Sequence, residues 1–199
     1  MNKTIFALIA GAVLAASELA SVASAAPAGA LPLPRAEAPI AAEKNPPGDI
    51  PDNQAFTAYR SPLGFRIEVP EGWARREASD HVTFSDKYNG LQVTVESQST
   101  APTLATLRAG QIAALEKSGR AVRATHVKPV DLPSGKAMLV TFGSNSEPNP
   151  VTNKAVRLDN GRYYVWNKNG KLATITLSSP SGADNVDQWQ RMIKSFGWL

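Results

Sequence analysis

The sequence predicts an α+β domain: a largely antiparallel sheet of about six or more strands, near the average for a sheet, with two amphipathic helices packed on it. Three observations carry this. Segments such as Phe65–Val69 and Leu91–Gln98 alternate apolar and polar residues, the two-residue period of a strand with one buried face. The connections between strand segments read as turns and loops rather than helical crossovers, which makes neighbouring strands antiparallel. Two segments, from Thr103 to Gly119 and from Asp184 to Phe196, instead repeat apolar residues every three or four positions.

The chain opens on a segment that stands outside this domain. Lys3 begins a short basic region, Ile5–Ala16 is apolar, and Ala23-Ser24-Ala25 has the small-x-small pattern that signal peptidase cuts. Glu18 interrupts the apolar run, which falls short of the ~20 residues that span a bilayer. Residues 1–25 are therefore expected to be a cleaved signal peptide, leaving a secreted or periplasmic chain with no transmembrane segment. Residues 26–55 are rich in Ala and Pro, with no apolar period, and read as an extended, disordered linker. Residues 56–199 hold every Trp and Tyr and have the length of one domain.

In that domain, Gly64 turns the chain into Phe65–Val69, Pro70 ends the pairing, and Trp73 is expected to plug the core. His81–Ser85 is a third short strand, and "DKYNG" turns at Asn89-Gly90, a favoured hairpin pair. Thr103 begins a helix whose Leu104, Leu107, Ile112 and Leu115 share an arc, and Gly119 suits a left-handed cap. Strands at Ala121–Val130 and Ala137–Gly143 flank the turn "LPSGK". After the polar loop Ser144–Lys154, residues 155–179 read as three strands turning at Asp159-Asn160-Gly161 and Asn169-Gly170. In the middle strand Arg162, Tyr164 and Trp166 share one face, and Tyr163 and Val165 the other. Asp184 or Ser181 caps the last helix, with Val186, Trp189, Met192, Ile193 and Phe196 on its inner face, and Trp198 folds back on the core.

The chemistry that composition allows is narrow. With no cysteine there is no disulfide, thiol nucleophile or thiolate metal site, and no point for lipid attachment. No G-x-S-x-G, S-x-x-K or H-E-x-x-H occurs, nor a glycine-rich phosphate loop, so no catalytic residue, metal or cofactor is expected. Of the two histidines, His81 follows Asp80, but adjacent strand residues point to opposite faces, which argues against a base with its orienting carboxylate. The whole chain carries +4; Lys3 and Glu18 cancel and residues 26–54 carry −2, which leaves the domain at +6. That bias suits an envelope protein or anionic polymer as partner. Nucleic acid is not expected, because no aromatic–basic recognition motif accompanies the charge. Aromatics beside cations make the first candidate site, Tyr88, Tyr163, Tyr164 and Trp166 with Arg157, Arg162 and Lys168. The long loop supplies the second, Asn145, Glu147 and Asn149.

Three stretches resemble the PsbP-like domains, the fold of the photosystem II extrinsic protein. They are "SPLGFRIEVPEGW" at the start, "SNSEPNPVTNK" in the middle and "LATITLSSPSGADNVDQWQRMIKSFGW" at the end, so the resemblance covers Phe56–Leu199. It implies an α/β/α sandwich around an antiparallel sheet. The family includes envelope lipoproteins, photosystem subunits and a Ran-binding relative, and this chain departs from the lipoproteins in lacking the lipidated cysteine. The expected function is an exported, non-catalytic binding or accessory domain at the cell envelope. The alternatives are a small envelope hydrolase or metal-dependent enzyme, and an assembly factor for a membrane complex.

Overall fold

Ten strands form two antiparallel sheets. In the computed structural model, which describes residues 37–199 except Asn45, the smaller sheet has the order β1-β2-β10 and the larger the order β3-β4-β5-β9-β8-β7-β6. The expected signal peptide lies outside the described residues. The expected sandwich holds in outline, but the fold is mainly β, and a second sheet supplies much of one outer layer.

The small sheet is closed by the two ends of the domain. β1 (Phe56–Ser61) and β2 (Phe65–Pro70) form a hairpin in which Gly64, at φ 93°, takes the left-handed position that a three-residue loop requires. Gly64 N–H donates to Ser61 O, and Leu63 N–H donates to the buried Ser61 Oγ. Alternation puts Phe65, Ile67 and Val69 inside, all buried, as the sequence predicts. Pro70 is the last residue of β2, consistent with its missing donor. β10 (Gly197–Trp198) pairs with Arg66 and Phe65 on the other side of β2.

The large sheet starts at β3 (Ala74–Glu77), four exposed residues whose two arginines and glutamate keep that edge from pairing with another chain. Trp73 is half-buried at the margin of the core rather than inside it. β4 (His81–Asp86) and β5 (Asn89–Ser97) pair through Asp86↔Asn89, so the turn residues are Lys87 and Tyr88, with Lys87 at φ 54°. The expected Asn89-Gly90 turn is thus part of β5. Asn89 is buried and donates to Gly48 O, a bond that a solvent-facing turn residue would lack. The same correction applies further on. Asp159-Asn160-Gly161 is not a turn, and residues 155–179 make two strands, β8 (Arg157–Asn167) and β9 (Lys171–Pro180). Asn160 is buried in β8, where its Nδ2 donates to Phe142 O and Ser144 Oγ of β7. β6 (Arg123–Leu132) and β7 (Gly135–Asn145) complete the sheet around a two-residue turn, Pro133-Ser134. Pro129 lies in β6, the far edge strand, where a missing donor costs no ladder bond to a further neighbour.

Side-chain parity divides the core in two. Val82, Phe84, Leu91, Val93, Val165, Ala173, Ile175 and Leu177 face the small sheet and α3 (Val186–Ser195). Val140, Phe142, Tyr164 and Leu172 face the other helix. That helix begins at the capping box of Thr103 and Thr106 and runs as α1 (Leu104–Leu107), a π-helical turn (Arg108–Ile112) and α2 (Ala113–Ser118). The π turn has a packing reason. Leu107 and Ile112 are five apart and would diverge by about 140° on a regular helix; a wider turn with i→i+5 spacing brings both onto the sheet, where both are buried. The cost falls on Leu104, expected on the same arc but left 39% exposed. Gly119 does end this helix, but in an extended conformation rather than a left-handed one.

Candidate functional site

The sequence-derived candidates separate into two groups, one structural and one lining a groove. The structural group holds an N-terminal strap. Residues 37–44 and 46–50, read from sequence as part of a linker, lie on the domain without regular secondary structure, and the compact unit runs Ala36–Leu199 rather than starting at Phe56. Proline-rich chain is already extended, so little backbone freedom is lost when it docks.

Asn145 is the clamp at the strap's start. It is buried, accepts from Ile40 N–H (3.0 Å) and Arg157 Nη1 (3.1 Å), and donates through Nδ2 to Glu37 Oε1 and Ala38 O. Arg120 forks onto Glu37 at 2.7 and 3.0 Å and reaches Glu147 at 3.0 Å. The Arg120 guanidinium and the Asn145 amide lower the Glu37 carboxyl to about 2, and Glu37 in turn raises Arg120. Asn149 folds its own loop, accepting from Val151 and Thr152 N–H. Lys154 forms an ion pair with Glu43, and Tyr88 stands beside it, donating to Lys154 O. The crevice there measures about 70 Å³, well below the roughly 300–1,000 Å³ of organic-ligand pockets. Further along, Gly48 passes so close to Pro180 that a Cβ would lie 2.7 Å from its ring. Asn185 then locks Ile50, accepting its N–H at 2.6 Å and donating to Gly48 O and Asn89 Oδ1. The N-cap of α3 is Asn185 rather than the expected Asp184 or Ser181, and with its side chain used in this way Asn185 makes no side-chain cap.

Arg162 is also committed. Its Nε donates to Thr176 Oγ1 at 2.9 Å and its guanidinium lies 5.4 Å from the Phe142 ring centroid.

Tyr164 and Trp166 belong to the second group. They line a groove of about 640 Å³ at the end of the sheet where the α1 N-terminus meets the β6–β7 turn. Four stretches of the chain build it: Ala101-Pro102, Pro129, residues 134–138, and Tyr164 with residues 166–168. Trp166 Nε1 donates to Gln98 O at 2.8 Å, which fixes its indole. Tyr164 is 2% exposed, and its hydroxyl stands beside the Arg162 guanidinium without a well-formed hydrogen bond among the described residues. Burial raises its pKa, and the nearby Arg162 guanidinium opposes the shift. Ser134, at the tip of the β6–β7 turn, has a buried hydroxyl with no hydrogen-bond partner among the described residues. Lys136 and Lys168 line the groove, and no carboxylate does. Ser134, Lys136 and Met138 went unread as site residues; the turn "LPSGK" marks their hairpin but not its proximity to Trp166.

The histidines lie elsewhere. Asp80 and His81 do meet, Oδ1 to Nδ1 at 2.8 Å, against the expectation from strand alternation. Asp80 sits in the bend before β4, where strand parity does not apply, and the contact holds its carboxyl below the usual range. The pair is exposed and lines neither groove nor crevice described above. His126 is exposed beside a bulge in β6. Among the described residues no cluster of three or more His, Asp or Glu could hold a metal ion, and no helix is long and apolar enough to cross a membrane.

Comparison with solved structures identifies the fold. The chain is similar to cyanobacterial PsbP from Synechocystis, with a TM-score of 0.51 and 17% identity over 78% of this chain and 100% of that one. A protein from Bacteroides thetaiotaomicron aligns with a TM-score of 0.47 and 9% identity, over 71% of this chain and 48% of that one. A Pseudomonas aeruginosa protein of unknown function aligns at 0.45 and 13%, over 70% and 94%. No family model and no curated protein matches the chain. The fold is PsbP-like, as the three sequence stretches imply.

Proposed function

We propose that this PsbP-like chain is an exported, non-catalytic binding domain of the cell envelope, and that its receptor surface is the groove at Tyr164 and Trp166. The observation that carries the reading is the groove itself, about 640 Å³ and walled by Tyr164, Trp166, Met138, Pro102 and Pro129, which has the size and the largely apolar lining of a small-molecule site. The location in this reading is supported by the signal-peptide pattern of residues 1–25. The hydrolase alternative would rest on the Asp80–His81 pair, which lines neither the groove nor the crevice described above.

Two measurements test the reading. N-terminal sequencing of the protein from an expressing cell should find a mature chain starting at Ala26, outside the cytoplasm; a cytoplasmic chain retaining Met1 overturns export. A ¹⁵N-labelled sample titrated with an organic extract of the envelope should shift amides of residues 134–138 and 164–168 saturably. Turnover of an extract component that is lost in His81→Gln overturns the non-catalytic assignment.

A further inference from the structure

The groove's lining also specifies the chemistry of what it takes. We propose that it binds a small amphipathic organic monoanion, with an apolar body against Trp166, Met138 and Pro102 and an anionic head at Lys168. The inference rests on the binding reading above and narrows it to a ligand class.

Size comes first. A groove of about 640 Å³ falls within the roughly 300–1,000 Å³ range of small-molecule sites. It suits one organic molecule rather than a long polymer.

Polarity comes second. The wall joins the Trp166 indole, the Met138 thioether and the Pro102 and Pro129 rings, so most of any occupant meets apolar surface. The lining is not wholly apolar, however: Ser134, Asn167 and two lysines belong to it, so an occupant with one polar end matches more of the wall than a wholly apolar one.

Charge comes third. Both charged residues of the lining are lysines. Lys136 is spoken for by Asp131 at 3.1 Å on the exposed surface. Lys168 has no carboxylate partner among the described residues. It stands in a turn that Asn167 orders, accepting from Asn169 and Lys171 N–H at 3.0 Å each. Its stem can lie along apolar surface while the ammonium stays in water, which places a cation at the mouth of an apolar groove. One uncommitted cation matches one negative charge; a polyanion would call for a row of them.

The test uses the full mature chain and three probes of equal length, decanoate, decan-1-ol and decyltrimethylammonium, each below its micellar concentration. ¹⁵N amide shifts locate each probe and give its affinity. Decanoate should perturb residues 134–138 and the Trp166 indole N–H, binding about tenfold more tightly than decanol, with decyltrimethylammonium weakest. Lys168→Gln, an exposed turn substitution, should abolish the preference for decanoate over decanol while leaving decanol affinity unchanged. Ser134→Ala should weaken decanoate and decanol together. Equal affinities for decanoate and decanol at the groove would overturn the anion assignment and leave the binding reading standing. Shifts from all three probes on some other surface, or none at millimolar concentration, would overturn both.

Discussion

The two faces of the seven-stranded sheet are finished differently. The face toward α3 and the small sheet is closed. Its aromatics interlock, with Phe65 and Phe196 stacked at 5.7 Å, Phe196 edge-on to Trp198 at 5.5 Å and Tyr59 edge-on to Phe84 at 5.1 Å. Its buried amides at Asn89 and Asn185 are satisfied by the strap. The face toward the helix of residues 104–118 is left open at one end. There the helix needs a π turn to keep Leu107 and Ile112 on the sheet, and the Tyr164 hydroxyl is left without a well-formed hydrogen bond. Close packing marks a surface selected for stability; an open groove walled by aromatic and apolar side chains marks one that can take its complement from outside.

Substitutions should separate the two faces by their cost. Phe65→Ala, which empties the centre of the closed face, is expected to lose about 3–5 kcal/mol in urea unfolding; a loss below about 1 kcal/mol would mean that this face does not dominate stability. Asn185→Ala strands the Ile50 N–H and should cost about 1–3 kcal/mol, with faster amide exchange at Ile50. Trp73→Ala, at the margin of the closed face and half-exposed, should fall near 1–2 kcal/mol, roughly the centre of the mutational distribution; a Phe65-sized loss would put Trp73 inside the core. Tyr164→Phe, on the open face, removes a hydroxyl that has no well-formed hydrogen bond. It should change stability by less than about 0.5 kcal/mol in either direction, and a large loss would reveal a partner for the hydroxyl within the chain.

The smallest expected effect is on the strap and depends on pH. The Glu37 carboxyl is depressed to about 2 when the strap is docked, against about 4.3 in the unfolded chain. Its contribution is therefore fully present above the unfolded value and is lost as pH falls through the docked one. Exchange of the Ile40 N–H, which donates to Asn145 Oδ1, should be insensitive to acid down to about pH 4.5 beyond the intrinsic rate, and its protection should fall between about pH 4.5 and 2. In Glu37→Gln that step should vanish.

The strands whose partners are periodic were legible in the sequence, and features defined by distant partners were not. Phe65, Ile67 and Val69, or Leu91 and Val93, announce a buried face through spacing alone. Asn89-Gly90 and Asn160-Gly161 look like turns because Asn and Gly favour them. What places both pairs in strands is hydrogen bonding to Gly48 in one case and to Phe142 and Ser144 in the other. The strap was read as linker for a related reason: its composition shows no period, and its anchors Arg120, Asn145 and Asn185 lie 83 to 135 positions away. Half of the site was legible. Tyr164 and Trp166 declared a shared face, but their groove needs Pro102 and the Pro133-Ser134 turn, which only the sheet order brings beside them.

The pairing of β10 with β2 has a consequence for how the domain folds. Gly197 and Trp198 complete the small sheet, and Leu199 N–H donates to Gly64 O. The first hairpin of the domain therefore leaves Phe65 without Phe196 and Trp198 until a segment more than 130 positions away docks on β2. This is the longest-range strand pairing among the described residues, and contacts between distant segments are the slow ones to form.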